Sequence, residues 1–124
     1  MALNAGLASM TDAMKLAAPS ASSFERLALP VAVRKQMGVI AMKVFGQEHL
    51  VGAAPAEKLL AYAWSLPISL ASVGMPQLDF VARNAVLARA FAPMSAAERS
   101  RLAESIAEGR KHAMLRFLRD HADV

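Results

Sequence analysis

Three histidines, one tyrosine, one tryptophan and no cysteine set the limits on what this 124-residue sequence can do chemically. His49, His112 and His121 have no carboxylate or second histidine at metal-ligand spacing, apart from the loose Lys111–Asp120 region, so no metal site is expected. Tyr62 falls in the middle of an apolar helical pattern and reads as a packing residue rather than a general acid. Trp64, on the same pattern, reads as an amphipathic anchor. No Gly-x-Gly-x-x-Gly fingerprint, Walker loop or serine nucleophile elbow is present. What remains are two glycine-containing loops. Taken alone, Met42 and Phe45 read as strand-end packing, Lys43 as a surface lysine with a buried stem, and Asn84 as an ordinary helix residue.

Composition narrows the class of protein. The apolar fraction is 56%, much of it alanine, and the mean hydropathy is +0.33. No stretch approaches the roughly 18 consecutive apolar residues of a membrane helix. With no cysteine, disulfides, thiolate metal sites and cysteine nucleophiles are excluded, which suits a reducing cytoplasm. A net charge of +4 invites a nucleic-acid reading. From Ser95 onward, however, Arg and Lys alternate with Glu98, Glu104, Glu108, Asp120 and Asp123, a mixed solvated face rather than a basic stripe. Nucleic acid is therefore not an expected partner.

The elements that must position the two loops follow from periodicity. The length implies a single domain, residues 1–124, with residues 1–21 expected to be loop or weakly ordered. Met1–Ala5 reads as a strand stub. Ser22 with Glu25 forms a capping-box pattern for a helix carrying Phe24, Leu27 and Val31, kinked at Pro30. Between Gly38 and Gly46, Val39–Phe45 is a nearly continuous apolar run, the pattern of a strand buried on both faces. A helix with Leu59, Leu60, Ala63 and Leu66 follows, ended by Pro67, and Ile68–Val73 is a second such strand. Leu78–Phe91 is a helix with Phe80, Leu87 and Phe91 on one side. Ser95 and Glu98 cap a last helix bearing Leu102, Ile106, Ala113 and Phe117, with Gly109 as a weak point costing about 1 kcal/mol relative to alanine. Strands alternating with helices imply parallel βαβ units. Two parallel strands make a poor sheet alone, because their edges and faces want cover, so the pattern belongs to a larger sheet or barrel.

The two loops also carry a resemblance. Gly38-Val-Ile-Ala-Met-Lys-Val-Phe-Gly46 resembles the seventh strand and following loop of the aldo/keto reductases. Leu66-Pro-Ile-Ser-Leu-Ala-Ser-Val-Gly-Met-Pro76 resembles their eighth strand, and Leu78-Asp-Phe-Val-Ala-Arg-Asn84 the start of their eighth helix. Phe91–Glu98 is similar to their link into a C-terminal helix, so the resemblance covers about residues 24–105 in one order. It implies an α-rich α/β fold that is part of a (β/α)8 TIM barrel, the C-terminal βαβα units plus a terminal helix. Met1–Ala5 would then be the tail of the sixth strand.

By the same resemblance the chain would contribute dinucleotide-binding loops to an NAD(P)H-dependent oxidoreductase that interconverts carbonyls and alcohols. Met42 would face the nicotinamide, Lys43, Val44, Phe45 and Gly46 the pyrophosphate path. Gly74, Met75, Pro76 and Gln77 would face the adenosine phosphate, Asn84 the adenine, and Arg83 a 2′-phosphate. NADP is the cofactor implied, with NAD the other possibility. Phe80 and Arg83 depart from the arginine and glutamate common there. No position matches the family's catalytic Asp, Tyr, Lys and His, which lie on strands absent from this sequence, so the chain alone is expected to be inactive and to be a truncated member. The competing expectation is a non-enzymatic α-rich interaction module, or a homodimer that completes its sheet through exposed strand edges.

Overall fold

The computed structural model describes residues 1–8 and 24–120. At its centre Ile40–Ala41 (β1) pairs in parallel with Leu70–Ala71 (β2), Ile40 opposite Leu70 and Ala41 opposite Ala71. The crossover between them contains the helix Ala56–Trp64 (α3). Helix α3 buries Leu59, Leu60, Tyr62 and Ala63, the face that the spacing of apolar residues predicts. Leu60 and Ala63 pack with Val44, while Leu59 and Tyr62 join Val39, Ala41, Leu50 and Leu66.

A third extended segment lies on the other edge of β1. Ala2 bridges Met42 in parallel; the Met42 N–H donates to the Met1 carbonyl at 2.9 Å and the Leu3 N–H to the Met42 carbonyl at 3.2 Å. On the opposite edge the Ser69 and Ser72 N–H groups donate to Val39 and Ala41 carbonyls, both at 2.8 Å. Successive strand residues direct their backbone groups to alternate edges, so β1 sits between the N-terminal segment and β2. Residues 2–7 are buried, unlike the loop or weak order expected of 1–21; the rest of that stretch, from residue 9, lies outside the described residues. The reason is local. Asn4, 1% exposed, accepts the Leu7 N–H and donates to the Lys43 carbonyl, capping the short helix Ala5–Ala8 (α1) and fastening it to the β1 loop.

Both strands are shorter than the predicted runs, and only one of their faces is covered. Val39 and Ala41 are buried, whereas Ile40, Met42 and Leu70 are 51%, 44% and 55% exposed. The chain turns out of the strand at Lys43, whose φ is 58°. Among the described residues nothing packs over the exposed face. A continuous apolar run thus forecasts two-sided cover that is missing here.

The predicted helix around Pro30 is a π turn, Phe24–Ala28, running into Leu29–Arg34 (α2). A π turn adds a residue per turn and shifts the phase of the apolar stripe. Leu29 and Ala32 are buried, while Leu27 and Val31 face solvent and Phe24 is half-buried. Pro30 sits in the first turn of α2, where its fixed φ suits the start of a helix. Ser22, the expected cap, lies outside the described residues.

Downstream, Leu78–Arg89 (α4) buries no residue fully; Phe80, Leu87 and Phe91 are half-buried, and Phe91 meets Trp64 edge-on at 5.6 Å. The single last helix predicted is two, Ala96–Ser105 (α5) and Glu108–Asp120 (α6). The Ser95–Glu98 capping box opens α5. The chain breaks at Ile106, extended at φ −77° and ψ 121°, which drops its side chain into the core at 1% exposure. The Ser105 hydroxyl donates to the Leu102 carbonyl at the end of α5, and Gly109 falls in the first turn of α6. Ala113 is half-buried, and the side chain of Phe117 lies outside the description. Among the described residues the architecture is an α-rich α/β fold of six helices and a two-stranded parallel sheet. None of its helices is long and apolar enough to cross a membrane.

Candidate functional site

The loops that leave β1 and β2 at their C-terminal ends meet over two adjoining clefts. The first, of about 620 Å³, is lined by Met42–Phe45, Gln47, Glu48 and Ser72–Pro76. The second, of about 610 Å³, is lined by Phe45, Glu48, Val51, Ala56, Gly74, Pro76, Phe80, Arg83 and Asn84. Phe45, Glu48, Gly74 and Pro76 are common to both, so the clefts share a wall. Of the predicted site residues, Met42, Lys43, Val44, Phe45, Gly74, Met75, Pro76, Arg83 and Asn84 are brought together here. Gly46 and Gln77 are not. Gly46 is buried against Leu50 and Met114, and Gln77 is the exposed residue before α4, with no side-chain cap bond.

The first loop is held from three sides in an unusual backbone conformation. Asn4 binds the Lys43 carbonyl, and Arg110 of α6 donates to the carbonyls of His49 and Val51 at 2.9 and 2.8 Å. Leu50, fully buried, anchors it from within. Lys43, Gln47 and Glu48 have φ of 58°, 53° and 69° without being glycine. Each such residue costs on the order of 1 kcal/mol, and residues of this kind gather at ligand sites. The second loop offers donors. Among the described residues, the N–H groups of Gly74, Met75, Gln77 and Leu78 have no acceptor. Unpaired amides leading into a helix N-terminus suit an anionic group.

The charges are mixed. Lys43 lines the first cleft and Arg83 the second, while Glu48 lines both. The sequence carries no signal for Glu48, because a left-handed turn through Gln47-Glu48 lacks the usual Asn or Gly there. Val51 and Ala56 are further lining residues that the motifs do not mark.

Tyr62 lies elsewhere, beside a small cavity of about 270 Å³ that shares no residue with the two clefts. Its hydroxyl donates to both Glu25 carboxylate oxygens, at 3.0 and 2.9 Å. Burial, then the Glu25 charge and the hydrogen bond, raise its pKa above the usual 10.0, opposite to what a ready proton donor requires. Burial also raises Glu25, partly offset by the Tyr62 bond and the Arg99 charge. Tyr62 is a packing residue, as its position suggests, with a polar tie that its spacing does not reveal. Among the described residues no group of three or more His, Asp or Glu side chains could hold a metal ion.

Gly74 offers a way to separate site from fold. A Cβ there would meet nothing within 4 Å, and its φ is not left-handed. Gly74→Ala should leave the urea midpoint unchanged or raise stability by roughly 0.5 kcal/mol. Because the new methyl stands where both clefts meet, the same variant should bind any ligand spanning them more weakly. Loss of stability without loss of binding would contradict this placement.

Comparison with protein-family models, characterised proteins and solved structures finds no match.

Proposed function

We propose that this chain is the C-terminal part of an aldo/keto reductase-like barrel and contributes the dinucleotide-binding loops of an NAD(P)H-dependent oxidoreductase acting on carbonyls and alcohols. One observation carries this reading: loops from two adjacent parallel strands line two adjoining clefts whose walls hold all the expected residues except Gly46 and Gln77. The uncovered face of Ile40, Met42 and Leu70 supports it too, since in a closed barrel that face points inward.

The residues present fit a dinucleotide. The unpaired amides of Gly74 and Met75 suit its diphosphate, with Lys43 and Arg83 adding positive charge. Met42 packs at the nicotinamide end, and Asn84 presents an amide to the adenine. NADP is the form the resemblance implies, and a cytoplasmic location belongs to the same proposal. When bound, the dinucleotide provides hydride chemistry; the chain's own residues bind and orient it. With no counterpart of the family's catalytic acid, the 124-residue chain should reduce no carbonyl substrate with NADPH.

A second reading, a module that self-associates, has its own observation. Beyond β2 no further strand pairs among the described residues, and the adjacent sheet face is apolar and exposed. Fluorescence titration with NADPH beside sedimentation separates the two. Saturable binding by a monomer supports the cofactor site. Association without binding supports the module and contradicts the first reading.

A further inference from the structure

We propose that α4 pairs with α4 of a second copy of this chain, antiparallel across a two-fold axis, through the side it turns away from its own fold. Leu78, Val81, Ala82 and Val86 recur at spacings of three and four residues, so they share one side of the helix. That side is uncovered. Leu78 is 91% exposed, Val81 47% and Val86 61%, while Phe80, Asn84 and Leu87 on the opposite side are half-buried. Leu78 is the most exposed large apolar residue described.

Charge indicates what covers the stripe. Asp79 lies in the first turn of α4 and Arg89 in the last, and neither side chain has a hydrogen-bond or ion-pair partner among the described residues. An antiparallel pair centred between Ala82 and Val86 sets Asp79 of each copy beside Arg89 of the other, because the two residues are equidistant from that centre. The two-fold axis repeats the contact, so both charges are matched in both copies. A parallel pair would set like charges together, and the helix dipoles also favour the antiparallel arrangement. Ala82, near the crossing, lets the helices approach closely. The pairing leaves Phe80 and Asn84 facing their cleft, so it is independent of the cofactor reading. It uses neither the free edge of β2 nor the exposed sheet face. With one helix on each side the contact is small, under about 1,200 Å² in total, and a dissociation constant on the order of 100 μM is expected.

The test is sedimentation equilibrium of the full chain from about 10 μM to about 1 mM, with circular dichroism to show that each variant is folded. Val81→Glu should weaken self-association at least about tenfold, by placing a charge in the apolar contact. Asp79→Arg and Arg89→Asp should each weaken it roughly tenfold at low salt, since each turns two attractive contacts into two repulsive ones. The double exchange should restore association to within about threefold of wild type. A chain that stays monomeric throughout, as expected if a different protein covers the stripe, would overturn the pairing. So would association that is lost in Leu70→Glu and unchanged in Val81→Glu, or a double exchange no better than the single ones.

Discussion

Gly46→Val should be the most destabilising single change in the loop that shapes the clefts, lowering stability by about 3 kcal/mol in urea denaturation. Two effects add. Gly46 has φ +57°, a conformation that costs an L-residue roughly 1–2 kcal/mol. A Cβ there would also lie 2.7 Å from Met114 Sδ and 3.0 Å from Leu50 Cγ, both side chains fully buried. Met114 cannot simply retreat, because its Cε would lie 2.7 Å from a Cβ at Gly6 on the other side. The methionine fills a slot between two glycines, joining α1, α6 and the first loop. Shortening it in Met114→Ala should cost about 2–5 kcal/mol alone, yet the double variant with Gly46→Val should cost less than the sum. Strict additivity would mean that the two positions do not share this slot.

Tyr62→Phe should cost about 1–3 kcal/mol, because it strips the hydroxyl donor from the part-buried Glu25 carboxylate. Its pH dependence is more telling than its size. Burial raises the Glu25 pKa in the folded state, so ionising Glu25 opposes folding, and stability falls as pH rises above about 4.5 through the raised value. Removing the Tyr62 bond raises it further, so that fall should deepen in the variant. At the alkaline end Tyr62 is raised above its usual 10.0 in the folded state, while the unfolded tyrosine ionises near that value. Wild type should therefore lose stability as pH passes about 10, beyond whatever the lysines contribute, and the variant should lack that part. Tyr62 is the only tyrosine in the sequence, so its ionisation can be followed by ultraviolet absorbance in the same samples. A wild-type-to-variant difference that is flat with pH would show that the Tyr62–Glu25 bond does not govern this titration.

Much of the architecture is legible in the sequence, and the shortfalls have physical causes. The order of elements, the buried face of α3 and the Ser95–Glu98 cap follow from spacing and local chemistry. Strand length does not, because the chain turns out of the strand at Lys43 and hydropathy alone does not say whether a second face is covered, so Ile40, Met42 and Leu70 are apolar yet exposed. The π turn before Pro30 is invisible to a pattern that assumes 3.6 residues per turn, so Leu27 and Val31 were expected inside where Leu29 and Ala32 lie. At the clefts, the resemblance points to residues on two loops, and most of them converge. Glu48 escapes it because a backbone turn, and no motif, carries that side chain to the junction.

Whether the two loops bind a dinucleotide together, as proposed, can be read from amide resonances of the 15N-labelled chain during titration with NADPH and separately with NADH. Saturable shifts are expected at Lys43–Glu48, Val73–Leu78 and Arg83–Asn84 of α4, weakened together by Gly74→Ala. Saturating cofactor that leaves those amides unmoved, or moves only the Glu25–Tyr62 region on the far side of α3, would contradict it.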